Sequence, residues 1–201
     1  MFKRFTYVRW LWAAVIITPF ILLLDAIFPI LKPAEIAMAS SRFKALGILR
    51  WEDGKDHAIP QDFADMLGWH DISALVLKAW NEVPEQDKKH TIILCDNYGQ
   101  AGAINFYNRG KTPAAVATEA DYVFWFPKLD SISYVIKVGH EPDSVSRQFI
   151  GQVATVGGLS DTLCREQQWG THVYLLSGIA AGLPKYFLPR LQQIQRSYMP
   201  Y

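Results

Sequence analysis

Apolar residues are unevenly distributed along this chain, and the first part holds one long apolar segment. Residues 11–31 contain a single charged side chain, Asp25, and 21 residues in a helix extend over roughly 30 Å, the thickness of a bilayer core. Lys3, Arg4 and Arg9 precede this segment, which predicts a cytoplasmic N-terminus. We expect a transmembrane helix here, with Asp25 near the outer interface or facing other helices.

Two other interpretations of this segment stay open. A cleaved signal peptide fits the basic start and the small residues at 37–39, although its apolar region is usually shorter. A buried helix of a soluble domain would be interrupted by Pro19 and Pro29, which membrane helices tolerate better. The favoured interpretation is a membrane helix and linker over residues 1–39, followed by an extracytoplasmic soluble domain over residues 40–201.

The remaining pattern predicts short strands and amphipathic helices. Short apolar runs indicate strands at residues 91–95, 122–126, 132–138, 149–156 and 171–177. Apolar residues at helical spacing indicate helices at residues 70–82, 99–108 and 183–197. Helices and strands alternate first, and several closely spaced strands follow. This order predicts one α/β sandwich domain with a mixed, Rossmann-like sheet.

Composition excludes some classes of function. The chain has 201 residues with 20 basic and 19 acidic side chains, so its formal net charge of +1 gives no electrostatic basis for binding nucleic acid. Cys95 and Cys164 are the only cysteines, too few for a disulfide framework or a four-cysteine zinc site. Cys95 ends an apolar strand and is expected to be a buried thiol, while a disulfide between the two cysteines stays open.

The polar turn after the first strand is the best candidate for a binding site. In open α/β sheets, ligands bind at the carboxyl ends of strands, close to helix N-termini. Asp96, Asn97, Tyr98 and Gln100 follow the strand directly and would contact a polar group such as a sugar hydroxyl. The structural alternative is that Asp96 or Asn97 caps the next helix, with Gly102 allowing close packing.

Two further groups of residues suggest chemistry. Trp51 and Trp69 would stack on a sugar ring, or would pack their loop onto the sheet. Several carboxylates near a histidine would suit a divalent cation, namely Glu52, Asp53, Asp56, His57, Asp62 and Asp65. Their spacing matches no EF-hand loop, so we expect a solvated acidic loop without a metal or cofactor. No Gly-x-Ser-x-Gly motif occurs, and no catalytic residue is assigned.

Three segments carry a family resemblance: RWEDGKDHAIPQDFADMLGW (50–69), CDNYGQAGAINFY (95–107) and YVFWFP (122–127). They resemble the C-terminal extracytoplasmic domain of bacterial membrane glycosyltransferases of family 39, the relatives of protein O-mannosyltransferases and of the lipid A aminoarabinose transferase. In that family, the last transmembrane helix leads through a proline-containing linker into a soluble α/β domain, which is similar to residues 11–39 here. The resemblance covers most of residues 20–177.

The resemblance implies a C-terminal domain, with its last membrane helix, of a polyprenyl-phosphate-sugar-dependent membrane glycosyltransferase. The family's catalytic carboxylates lie in an early outward-facing loop, so this chain would be inactive alone. Its partners would be the bilayer, a polyprenyl-phosphate sugar and the membrane part of the transferase, with the soluble domain on the periplasmic side of the inner membrane. The alternative is a single-pass glycan- or protein-binding module without enzymatic activity. A secreted hydrolase released after Ala39 is a third interpretation.

Overall fold

The computed structural model describes residues 6–28, 30–128, 131–165 and 170–199. The chain divides into two compact units, Met1–Met66 and Leu67–Tyr201. The expected boundary after residue 39 falls inside the first unit, between two of its helices.

The first unit consists of helices and loops. Its helices are α1 (Thr6–Leu22), α2 (Leu24–Ile27), α3 (Pro33–Met38), α4 (Ser40–Ala45) and α5 (Gln61–Ala64). Pro33 begins α3, where its missing N–H costs nothing because the first helical N–H groups have no intrahelical partner. Ile36 of α3 and Phe43 of α4 are among the buried side chains of this unit.

The predicted continuous helix over residues 11–31 is wrong. The backbone leaves the helical conformation at Leu23, with φ −104° and ψ 3°, and separates α1 from α2. Phe28 is extended because the residue before a proline is disfavoured in the helical region, and Pro29 follows it. Among the residues that the structure describes, no helix is long and apolar enough to cross a membrane.

Asp25 faces helix α4. Its Oδ2 accepts a hydrogen bond from Nη1 of Arg42 at 2.8 Å, and Arg42 also donates to the carbonyl oxygen of Leu22. The last carbonyls of a helix have no intrahelical donor, so this guanidinium supplies one at the end of α1. The single carboxylate of the apolar segment is therefore held by an ion pair.

The second unit is an α/β sandwich with a mixed five-stranded sheet, as the order of elements predicts. Its elements are α6 (Trp69–Glu82), β1 (Thr91–Cys95), α7 (Tyr98–Tyr107), β2 (Ala115–Ala117), β3 (Tyr134–Gly139), β4 (Ile150–Gly158), β5 (His172–Ile179) and α8 (Gly182–Tyr198), with 3-10 helices at Glu85–His90, Ala120–Trp125 and Ser146–Phe149. The strand order is β2-β1-β3-β5-β4. β1 runs parallel to β2 and β3, whereas β5 is antiparallel to β3 and β4.

The inner strand β1 is apolar because both of its faces are covered. Ile93 pairs with Ile136 of β3 and faces the core formed with α6 and α7. Ile92 faces the opposite way, into a second core with Val123 and Leu191 of α8. A strand covered on both faces has a nearly continuous apolar sequence rather than an alternating one.

One predicted strand is a different element. Residues 122–126 are expected from their sequence to be extended, but the 3-10 helix Ala120–Trp125 occupies most of that range. The position beside β1 is taken instead by the three residues of β2, which pairs in register with Ile93, Leu94 and Cys95. The other predicted helices and strands of this unit end within two residues of the observed limits.

Candidate functional site

The carboxyl ends of β1 and β3 form a topological switch point. After β1, the chain passes through α7 on one face of the sheet to β2, and then crosses to β3 on the other side of β1. The 3-10 helix Ala120–Trp125 in that crossing places Val123 in the core on the opposite face. Ligands of open α/β sheets bind in the crevice at such a reversal of strand order.

Asp96 lies at this switch point and connects the two strand ends. Its Oδ2 accepts a hydrogen bond from the backbone N–H of His140 at 2.6 Å and lies 2.9 Å from Nδ1 of the same residue. Its Oδ1 accepts a hydrogen bond from Nζ of Lys137, a residue of β3. The backbone N–H of Asp96 donates to the carbonyl oxygen of Val138 at 3.0 Å.

These contacts determine the charge of the carboxyl group. Partial burial raises the pKa of Asp96, but the positive charge of Lys137 and the hydrogen bonds from Lys137 and His140 outweigh it and lower this pKa overall. Asp96 is therefore ionised at neutral pH. A general base needs a pKa close to the working pH, so this carboxylate is better suited to binding and positioning than to proton transfer.

Gly139 allows the carboxylate of Asp96 to lie against the end of β3. Its φ of +122° is unfavourable for residues with a side chain. A Cβ atom at this position would lie 2.0 Å from Oδ2 of Asp96. Only a glycine fits this junction while Asp96 keeps its place.

Asn97 and Gln100 hold the turn that carries Asp96. Oδ1 of Asn97 accepts a hydrogen bond from the backbone N–H of Gln100 at 2.9 Å, which confirms the expected cap of α7. Gln100 is buried, and its Oε1 accepts from the backbone N–H of Asp96 at 3.1 Å, while its Nε2 donates to Oγ1 of Thr171 at 3.5 Å. Both amides have structural partners within the protein.

Tyr98 and Trp69 lie at the same turn in different ways. Tyr98 is the first residue of α7, and its side chain is 58% exposed. The ring of Trp69 lies so close to Gly99 that a Cβ atom there would be 3.1 Å from its Cη2. Gly102 is equally tight, since its Cβ would lie 3.1 Å from Oη of Tyr122, in agreement with the predicted close packing.

Trp51 belongs to the first unit. Its ring stacks on His57 with the ring centroids 3.7 Å apart, and its Nε1 donates to the carbonyl oxygen of Ile59 at 2.8 Å. Of the predicted site residues, the second unit thus brings together Asp96, Asn97, Tyr98, Gln100 and Trp69.

Sequence reasoning missed Lys137 and His140. Lys137 is the only charged residue of β3, and a lysine inside an apolar strand was the available signal. It did not identify Asp96 as the partner, because the two positions are 41 residues apart.

A cavity of about 400 Å³ opens beside Asp96, between the sheet and α8. Most of its wall is apolar, including Ile92, Leu94, Val135, Leu176, Leu183, Phe187, Leu191 and Ile194. Its charged lining residues are Asp96, Lys137, Glu141, Asp143 and Arg190.

The acidic loop of the first unit is held by its own contacts. Asp53 accepts a hydrogen bond from the backbone N–H of Lys55 and contacts the ring of His57, each at 2.9 Å. Both contacts lower the pKa of Asp53, and the hydrogen bond from Lys55 has the larger effect. Asp56 pairs with Lys44 at 3.1 Å. Within the described parts of the chain, no three His, Cys, Asp or Glu side chains are placed to share a metal ion.

The two cysteines are thiols and form no disulfide with each other. Cys95 is buried as predicted, and burial raises the pKa of its thiol. This thiol is therefore protonated at neutral pH and is a poor nucleophile.

No protein family, no curated protein and no solved structure matches this chain. The resemblance to family 39 glycosyltransferases therefore stays a prediction.

Proposed function

We propose that this chain is a membrane-associated domain that binds the head group of a polyprenyl-phosphate sugar for a membrane glycosyltransferase. The supporting observation is the cluster of Asp96, Lys137 and His140 at the switch point, beside an apolar cavity. A sugar phosphate offers hydroxyl groups to a carboxylate and a charged phosphate to cations. An apolar cavity next to such a cluster suits a ligand that joins a polar head to an apolar chain.

The surface of α1 supports membrane association. Ten of its large apolar side chains are more than half exposed, among them Trp10, Ile16 and Phe20. A helix that is apolar all round is stable when other apolar groups cover it, and lipid supplies them. We place residues 67–201 on the periplasmic side of the inner membrane, as the resemblance to family 39 glycosyltransferases implies.

The proposed role is binding rather than chemistry. The oxygens of Asp96 already accept hydrogen bonds from Lys137 and His140, and its pKa is low. Such a group orients a ligand but is poorly suited to deprotonating an acceptor. The carboxylate that activates the acceptor would come from the membrane part of the transferase.

A glycan-binding module without enzymatic activity is the second candidate, because aromatic side chains cluster on α6 and α7. Phe106 and Tyr107 are exposed and pack edge to face, with centroids 5.1 Å apart. The ring of His70 lies edge to face with Tyr107 at 5.5 Å. Exposed aromatic rings offer apolar faces on which a sugar ring stacks.

Equilibrium binding to the full chain in phosphatidylcholine vesicles separates the two candidates. We expect saturable binding of farnesyl phosphate mannose. Asp96→Asn should weaken it about tenfold, because one charge-assisted hydrogen bond is worth roughly that factor. Tyr98→Ala should also weaken it, whereas Asp121→Asn, at an exposed aspartate of the 3-10 helix, should leave it unchanged.

The opposite outcomes are distinct. Absence of saturable binding by the wild-type chain would overturn the lipid-linked sugar assignment. Equal binding of a free mannose oligosaccharide, weakened by Phe106→Ala and unaffected by Asp96→Asn, would replace it with the glycan-binding module.

A further inference from the structure

The cavity beside Asp96 is bounded by two apolar surfaces. On the sheet side, Ile92 and Leu94 of β1 and Val135 of β3 point toward α8. On the helix side, Leu183 and Phe187 complete the wall. Its volume of about 400 Å³ lies within the range of pockets that bind small molecules. Apolar walls of this kind take up the apolar part of a ligand.

The charged groups of the lining give this cavity a polar side. Asp96 binds Lys137, and Asp143 accepts hydrogen bonds from the backbone N–H groups of Val145 and Ser146 at 2.9 and 2.8 Å. Both carboxylates are therefore engaged within the protein.

Arg190 of α8 is the second cation of this lining, beside Lys137. It is exposed and attracts Asp143, but it forms no hydrogen bond or ion pair at contact distance with any residue that the structure describes. Glu141, which also lines the cavity, is exposed to solvent. A guanidinium without a fixed partner at the edge of an apolar cavity is suited to an anionic head group such as a phosphate.

We propose that this cavity binds the apolar chain of a single-chain amphiphile with an anionic head, and that Arg190 and Lys137 contact the head. The inference rests on the proposed function and specifies its ligand as a prenyl phosphate, whose chain enters the space between the sheet and α8. A fatty acid has the same chemistry, an apolar chain with an anionic end. The test therefore includes both.

Photocrosslinking locates the chain of the ligand. The full chain in phosphatidylcholine vesicles is irradiated with farnesyl phosphate that carries a diazirine at the end of its chain, and labelled peptides are identified by mass spectrometry. We expect labels within β1 and α8. Farnesyl phosphate should compete, while farnesol should compete about tenfold less, since it lacks the charge that Arg190 and Lys137 would bind.

Matched variants on α8 test the cavity and the cation. Leu183→Trp fills the cavity and should reduce labelling about tenfold, whereas Lys185→Trp places the same ring on the exposed face of the helix. Arg190→Glu should weaken the binding of farnesyl phosphate. Arg196→Glu, which lies outside the cavity on the same helix, should leave this binding unchanged. Circular dichroism establishes that each variant is folded before it is compared.

Each remaining outcome has a definite meaning. Labels confined to residues 6–28, or labels unaffected by Leu183→Trp, would overturn the cavity assignment and leave head-group binding at Asp96 intact. Competition by myristate equal to that by farnesyl phosphate would support the cavity and identify a fatty acid as its ligand. Labelling of the cavity in a protein that does not bind farnesyl phosphate mannose would retain this inference and overturn the proposed function.

Discussion

At the scale of single residues, the ion pair of Asp96 and Lys137 is the most consequential contact of the site. Both side chains are partly buried, with 31% and 14% of their surfaces exposed. A buried charge that loses its partner keeps its desolvation cost without compensation. The pair therefore stabilises the junction of β1 and β3 as well as shaping the site.

We expect Asp96→Asn to destabilise the protein at neutral pH by about 1–3 kcal/mol, because Lys137 loses its counter-charge. The pKa of Asp96 is lowered by folding, so its contribution is fully present above the unfolded value near 4 and is lost as pH falls through the folded pKa. The difference between wild type and variant should therefore shrink below about pH 4. Urea unfolding at several pH values measures this difference in the free energy of unfolding.

Asp121→Asn is the control, since Asp121 is exposed and should give a difference within about 0.5 kcal/mol at every pH. A constant difference between wild type and Asp96→Asn from neutral to acidic pH would contradict the assignment of this pKa shift to the ion pair.

Sequence reasoning at this scale identifies Asp96 but not its partners. Its position directly after an apolar strand is a local feature, and the rule about strand ends then places it at the sheet edge. The pairing with Lys137 depends on which strand lies beside β1, and on the side toward which residue 137 points. Neither is encoded locally. Trp51 is predicted to join the site because tryptophan rings suit stacking on sugars. In the structure, its ring stacks on His57 instead.

At the scale of elements, α7 and β2 are joined by one side chain. Asn105 donates from Nδ2 to the carbonyl oxygen of Ala115 at 3.0 Å and accepts from its backbone N–H at 2.7 Å. Ala115 is fully buried, so both backbone groups depend on this amide. A strand of only three residues is thereby fixed at the edge of the sheet.

We expect Asn105→Leu to cost about 1–3 kcal/mol, because two buried backbone groups lose their partner. Hydrogen exchange at the amide of Ala115 should accelerate along with the loss of stability measured by urea unfolding. Asn81→Leu, an exposed position on α6, serves as the control and should change stability by about 0.5 kcal/mol or less. An unchanged rate of hydrogen exchange at Ala115 in the Asn105 variant would show that Asn105 does not attach β2 to α7.

The same region shows where pattern reasoning fails for elements. Residues 122–126 are apolar and aromatic, which favours a strand, yet Tyr122 and Val123 pack into different cores from a 3-10 helix. The true strand, 115–117, has two alanines and too few residues to produce a pattern. By contrast, the strand at residues 91–95 is predicted correctly, because a run of β-branched residues between polar turns is too short for a buried helix.

At the scale of the whole molecule, the exposed apolar surface of α1 distinguishes the first unit from the second. Removing that surface from water by binding lipid would be favourable roughly in proportion to its area. The α/β class of the second unit is predictable from the order of its elements. The break at Leu23 cannot be predicted in this way. The carbonyl oxygen of Leu22 beside it accepts a hydrogen bond from Arg42, which lies on another helix.

We expect the full chain to float with phosphatidylcholine vesicles in a density gradient. Ile16→Lys combined with Phe20→Lys should abolish flotation, since each charge at a lipid-covered position costs about 3 kcal/mol. Val145→Lys changes an exposed apolar residue of the second unit and should float like the wild type. Unchanged flotation of the double variant would exclude α1 as the lipid-binding element.

The contact between Gly139 and Asp96 has a consequence for evolution. A side chain at position 139 and a carboxylate at position 96 compete for one volume, so the two positions cannot drift independently. A descendant of this protein can acquire a side chain at position 139 only after a shorter residue has replaced Asp96. A sequence comparison that scores positions 96 and 139 together, although they are 43 residues apart, should find distant homologues that are missed when each position is scored separately.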